Sequence, residues 1–183
     1  MKDYKDVMID IETTSTKYNA CIVSIGVIAF NVYDTKLKQK ELEIFVNKES
    51  CDRLDLHTSE ETMQWWSSQD ENVRKKIFES QPRFDIKEAL IKLSDFCQSL
   101  NVRRYWCQGI NFDPIVLENA YEKCGLTPPW KFFQLRDSRT VKQMLTLKDI
   151  DSIPKNNCHD SIEDCRNQIN ILHFAYKKFK LIN

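Results

Sequence analysis

A chain of 183 residues, 42% hydrophobic and 30% charged, has material for one well-buried core and excludes a collagenous, low-complexity or disordered protein. Its 27 basic side chains balance 27 acidic ones, which excludes a whole-molecule field that would draw it onto nucleic acid or an anionic membrane, so nucleic-acid binding has to be local. No secretory h-region or run of about 18 apolar residues occurs, and none of the seven cysteines forms a C-x-x-C pair, so reduced, mostly buried thiols in a cytoplasm are expected.

Residues 7–11 form an apolar run interrupted by Asp10, the pattern of a buried strand carrying one placed carboxylate. Residues 21–33 and 42–46 are rich in β-branched and aromatic side chains, and the short links between these three runs predict an antiparallel meander. Residues 60–78 change to helix formers, with Met63, Trp66, Val73 and Ile77 at helical spacing behind Thr58 or Ser59 as cap. After Pro82, Asp85 starts a helix whose stripe is Ala89, Leu90, Leu93, Phe96, Cys97 and Leu100. Tyr105, Trp106 and Cys107 open a strand that ends at Gly109, and residues 111–123 read as a helix stopped by Gly125 and Pro128-Pro129. Residues 132–135 give the fifth strand, 140–147 a short helix, and 161–179 a long amphipathic helix. Strands first, then alternating helices and strands, predict a single α/β domain: a mixed five-stranded sheet flanked by helices.

Three acidic signals punctuate this frame. Asp10-Ile11-Glu12 ends the first strand, where period-two alternation sends both carboxylates to one face. Two acids pointing together repel unless solvent or a hard cation neutralises them, and such cations prefer carboxylate oxygens. Asp113, in Asn111-Phe112-Asp113-Pro114, follows a strand and precedes a helix, where it reads as a ligand or as a helix N-cap. His159 stands five positions before Asp164 where the last helix begins, so both side chains can converge on one opening, with Asp160 or Ser161 as the cap. Cys158 and Cys165 flank this motif, but without a C-x-x-C partner zinc is not expected.

Taken together, Asp10, Glu12, Asp113, His159 and Asp164 match in type and order the DEDDh group of the DnaQ-like 3′-to-5′ exonucleases, and the resemblance spans nearly the whole chain. More narrowly, Trp65-Trp66-Ser-Ser-Gln, Cys107-Gln-Gly109 before Asn111-Phe112-Asp113, Arg136-Asp137-Ser-Arg139-Thr140 and the His159-to-Cys165 segment are similar to the exonuclease A proteins of T-even-type bacteriophages, which implies a viral enzyme in a host cytoplasm. One departure is Ser15, where many relatives carry a glycine after D-x-E-T-T.

The resemblance implies an RNase H-like sheet, two Mg²⁺ or Mn²⁺ ions held by the four acids with Asp10 bridging, and His159 as general base. Imidazoles titrate near about 6.5 when unperturbed, which suits that role. The implied partner is nucleic acid with a free 3′ end, with no membrane and no organic cofactor. Thr13 and Thr14 are placed to hold the terminal sugar, Asn111, Phe112 and Trp65 to meet the terminal nucleotide, and Arg136 and Arg139 to lie near the site or to form a structural ion pair. Single-stranded DNA is the favoured substrate. An exoribonuclease remains the alternative, because acids that bind phosphate do not read the 2′ position, and so does a non-catalytic nucleic-acid-binding module on the same fold.

Overall fold

The computed structural model describes residues 4–155 and 159–182. Among them, β1 (Asp6–Thr13), β2 (Ile22–Phe30), β3 (Lys40–Val46), β4 (Arg83–Phe84), β5 (Arg104–Cys107) and β6 (Leu135–Asp137) form one mixed sheet in the order β4-β3-β2-β1-β5-β6. The first three strands are the antiparallel meander their short links require; β5 pairs with β1, β6 with β5 and β4 with β3 in parallel, after helical crossovers. The helices are α1 (Lys48–Asp52), α2 (Glu60–Ser67), α3 (Glu71–Glu79), α4 (Ile86–Gln98), α5 (Asp113–Lys123), α6 (Ser138–Lys142), α7 (Leu147–Asp151) and α8 (Ser161–Lys178).

The five expected strands are present, and β4 is a sixth whose two residues are too few to show any alternation. The helix expected over 60–78 is two helices, because the Asp70 carboxylate accepts from the Asn72 and Val73 N–H groups and restarts the backbone as α3. The fifth expected strand begins later than its apolar run, since Phe132–Gln134 curl into a 3₁₀ turn before β6. The short helix expected over 140–147 is α6, which starts at the cap Asp137, followed by a separate α7 capped by Thr146.

Alternation along β1 divides the molecule into two layers. Val7, Ile9 and Ile11 join the larger core with Leu90, Leu93, Val116 and Tyr121, whereas Met8 packs with Ile28, Trp106 and the α8 residues Cys165, Ile169 and Leu172. With helices on both faces, β2 is buried at every position. Each fully buried Ile or Leu on α8 contributes about 1.5–3 kcal/mol of burial free energy, so this layer fixes α8 firmly on the sheet. Six cysteines, Cys21, Cys51, Cys97, Cys107, Cys124 and Cys165, are free and buried; Cys158 lies outside the described residues. No helix among the described residues is long and apolar enough to cross a membrane.

Two features set the position of α8 relative to β1. Gly26, paired with Asp10 across the β1–β2 ladder, has no room for a side chain: a Cβ there would lie 2.4 Å from the backbone C and O of Ser161. The Ser24 and Ser161 hydroxyls meet at 2.7 Å beside it, and the Cys165 thiol reaches the Gly26 carbonyl at 3.5 Å. The first turn of α8 is thus laid directly against the strand next to the acids.

Candidate active site

β1 carries three aspartate or glutamate side chains on one face, and they have different fates. Asp6 is fully buried and fully paired: Arg104 Nε at 2.5 Å and Nη2 at 2.8 Å, Trp106 Nε1 at 2.8 Å and the Val32 N–H at 2.9 Å all donate to it. Arg104 is thereby committed to structure. Asp10 and Glu12 lie toward the other end of the strand, where β1–β5 pairing stops at Met8 and a bulge shifts the register between Glu12 and Thr13. Such irregularities re-aim side chains at strand ends.

The N-terminus of α8 delivers the third acid. Asp160 is the cap, accepting from the Ile162 and Glu163 N–H groups at 3.2 and 3.3 Å while Lys76 holds its second oxygen at 2.6 Å. Asp164, one turn on, accepts from the His159 N–H through Oδ2 at 2.8 Å. That bond holds the residue before the cap in a left-handed conformation (φ 63°), an uncommon state in which His is enriched. One carboxylate oxygen each from Asp10, Glu12 and Asp164 lie within 4.8 Å of one another.

Asp113 arrives from the opposite side. It is not the N-cap: Phe112 holds that position without a side-chain bond, and Asp113 begins the helix ahead of Pro114. The buried Asp113 carboxylate instead takes hydrogen bonds from its own N–H and from that of Ile11, which ties α5 to β1. Gly109, at φ 118°, makes the turn between β5 and α5 that this approach needs.

The electrostatics follow from this crowding. Burial pushes the Asp10 carboxyl well above the usual range, and the charges of Asp113, Glu12 and Asp164 push it further against the opposing Gln168 hydrogen bond. Burial likewise raises Glu12, joined by Asp164 and Asp113. Asp113 is pushed up to about 7, mainly by burial, with its two backbone N–H bonds pulling the other way. A partly buried group of mutually repelling carboxylates with oxygen donors only is the donor set that hard divalent cations fit.

His159 completes the group. Its ring meets the Trp65 ring at 4.8 Å, nearly perpendicular, and lies 6.5 Å from that of Trp66. Trp66 is buried and donates from Nε1 to the Thr13 carbonyl at 2.9 Å, so the histidine packs on an aromatic pair anchored to the strand bearing Asp10 and Glu12. Asp10, Glu12, Asp113, His159 and Asp164 all line one cleft of about 470 Å³.

The residues expected to meet substrate divide. Asn111, Phe112 and Arg139 line the cleft, Arg139 donating to the Gln108 carbonyl at 2.9 Å. Thr13, Thr14, Trp65 and Arg136 are not in its lining. The Thr13 hydroxyl is bonded to the Ser15 carbonyl at 2.7 Å and that of the fully buried Thr14 to Thr58 at 2.8 Å. Arg136 folds back onto the Phe133 and Leu135 carbonyls, both at 2.7 Å, and forms no ion pair among the described residues. Trp65 is partly exposed beside His159. Ser15 has no positive φ, so the glycine it replaces is not needed for this loop.

Sequence reasoning missed Lys142, Ile150, Ile153, Pro154 and Lys155, which line the same cleft as the acids, together with Asn167 and Gln168. The last two were accessible in principle, standing three and four residues after Asp164 on one helix face.

Comparison with known proteins gives the family. The family model described as a 3′-5′ exoribonuclease Rv2179c-like domain matches residues 5–176. The protein "Exodeoxyribonuclease" of Enterobacteria phage T4 is 28% identical over 204 residues, covering 94% of this chain and 89% of the phage protein. Among solved structures, E. coli Exonuclease I in complex with a dT13 oligonucleotide has a TM-score of 0.65 at 10% identity, over 96% of this chain and 42% of that one. The same enzyme with a 5cy-dA13 oligonucleotide has a TM-score of 0.61 at 11% identity, over 94% and 40%. The chain spans about two fifths of those solved chains, and at such identity the likeness is one of RNase H-like fold. With the match running almost end to end over a sheet that gathers four carboxylates and a histidine, the chain belongs to the 3′-5′ exoribonuclease Rv2179c-like domain family of DnaQ-like exonucleases.

Proposed function

We propose that this chain is a single-domain, two-metal-ion 3′-to-5′ exonuclease of the DEDDh type that trims single-stranded DNA. The observation that carries the reading is the convergence in one cleft of Asp10 and Glu12 from β1, Asp113 from α5, and His159 and Asp164 from the start of α8. Asp10, Glu12, Asp113 and Asp164 would hold two Mg²⁺ or Mn²⁺ ions, and Asp10, which feels the charge of all three others, would be the ligand the two ions share. When bound, such ions offset charge on the scissile phosphate and supply a nucleophile at neutral pH.

The chain's own groups do the rest. His159 takes the proton of the attacking water, with its ring held by Trp65 and its backbone by Asp164. Water oxygen bonds to phosphorus, the bond to the 3′ oxygen of the preceding nucleotide breaks, that oxygen takes a proton from solvent water, and a nucleoside 5′-monophosphate leaves behind a new 3′ hydroxyl. Phe112 offers a face for the terminal base, Asn111 a polar contact for its sugar, and Arg139 a charge for the phosphate.

The choice of DNA is supported by the name of the phage relative, which aligns over most of both chains; the family description supports an exoribonuclease as the second reading. Oligonucleotides of DNA and of RNA, labelled at the 5′ or the 3′ end, separate the readings on a gel. Mononucleotide release from the 3′ end of DNA, abolished by EDTA, is expected. Internal cuts or EDTA-resistant activity would overturn the exonuclease reading, and degradation of RNA alone would replace DNA as the substrate.

A further inference from the structure

Gln168 lies on α8 one turn beyond Asp164, is 3% exposed, and lines the cleft. Its Nε2 donates to Asp10 Oδ1 at 2.8 Å, which orients the most crowded carboxylate of the group. Its Oε1 is buried with no hydrogen-bond partner among the described residues. A buried amide oxygen left without a donor is destabilising, and a fold retains such a group readily where a ligand satisfies it. With cations bound Asp10 is ionised and only accepts, so the amide presents its nitrogen to Asp10 and its oxygen away from it. Gln168 lines the same cleft as Asp10, Glu12, Asp113 and Asp164, so a donor for the orphan oxygen can arrive with what the acids bind, and hydrated cations bring water.

Resting on the two-metal reading, we propose that Gln168 is a positioning residue of the metal centre: its nitrogen fixes the Asp10 carboxylate, and its oxygen accepts from a water that enters with the cations. A merely structural glutamine would behave in the opposite way. Replacing it would lower the stability of the metal-free fold and leave cation affinity alone. If Gln168 positions the centre, Gln168→Met removes both the bond to Asp10 and the orphan acceptor at little change in volume, and Mn²⁺ affinity falls about ten- to a hundredfold, the usual effect of losing a residue that orients a ligand.

Calorimetric Mn²⁺ titration and thermal melts of wild type, Gln168→Met and Gln168→Asn test this without reference to activity. Gln168→Asn keeps the amide but falls a methylene short of Asp10, so the same loss of affinity is expected even if Gln168→Met fails to fold. Wild-type-like Mn²⁺ affinity in either folded variant overturns the inference while leaving the metal centre standing. Absence of Mn²⁺ binding by the wild-type protein overturns the metal centre itself, and the inference with it.

Discussion

Gly26→Ala is the substitution in which structure and catalysis are most tightly joined. Gly26 does not have a left-handed φ, so alanine meets no backbone penalty there, and the whole effect comes from the added methyl. That methyl would sit 2.4 Å from the Ser161 carbonyl and 2.8 Å from the Ile162 nitrogen, where ordinary contact begins at 3.4 Å. The start of α8 therefore has to retreat from β2 by about 1 Å, straining the Ser24–Ser161 hydrogen bond and carrying His159 and Asp164 away from Asp10 and Glu12. Overpacking of this kind costs about 1–3 kcal/mol, which for a chain of this size lowers the melting temperature by roughly 2–12 °C. A displacement of about 1 Å in a catalytic group costs on the order of a hundredfold in rate. Thermal melts paired with single-turnover release of mononucleotides from a 3′ end measure both. A variant that melts within a degree of wild type and keeps its rate within twofold would refute the seating of α8 on β2, and with it the origin of the site's geometry.

His159→Ala should lower turnover by about 10² to 10⁴ while the protein still binds Mn²⁺, because the ring is proposed as base and not as ligand; calorimetry showing lost affinity would make it a ligand. The pH dependence of the metal-free protein follows from the raised carboxyls of Asp10, Glu12 and Asp113. Their folded-state pKa values exceed the unfolded ones, so the folded state binds more protons, and stability should fall as pH rises from about 4 through 7, the value for Asp113. Saturating Mg²⁺ or Mn²⁺ should remove that fall, since the cation replaces the protons. Denaturant titrations at pH 5.5 and 8 with and without the ion test it; a metal-free protein that gains stability over that interval contradicts the assignment.

Much of this site was legible in the sequence for reasons that are local. Alternation along one strand is enough to put Asp10 and Glu12 on the same face, and a helix start is enough to bring His159 near Asp164. Asp113 was harder, because a residue opening a helix looks the same whether it caps the backbone or faces a cleft; its bond from the Ile11 N–H is a tertiary fact. The hydroxyl partners of Thr13 and Thr14, Ser15 and Thr58, are set by a loop path that no periodicity encodes. The cleft lining of Lys142, Ile150 and Lys155 comes from the α6–α7 region, whose approach to the cleft is invisible along the chain. β4 is held by its pairing with β3 and has no pattern of its own.

The central claim is that Asp10, Glu12, Asp113 and Asp164 form one centre for two divalent cations. Its most direct test is a Mn²⁺ titration of the wild-type protein beside Asp10→Asn, followed by calorimetry at neutral pH. Two ions per wild-type chain, and loss of high-affinity binding at both positions when the shared ligand is replaced, are expected. A single ion per chain, or two ions bound undiminished by Asp10→Asn, would contradict the account.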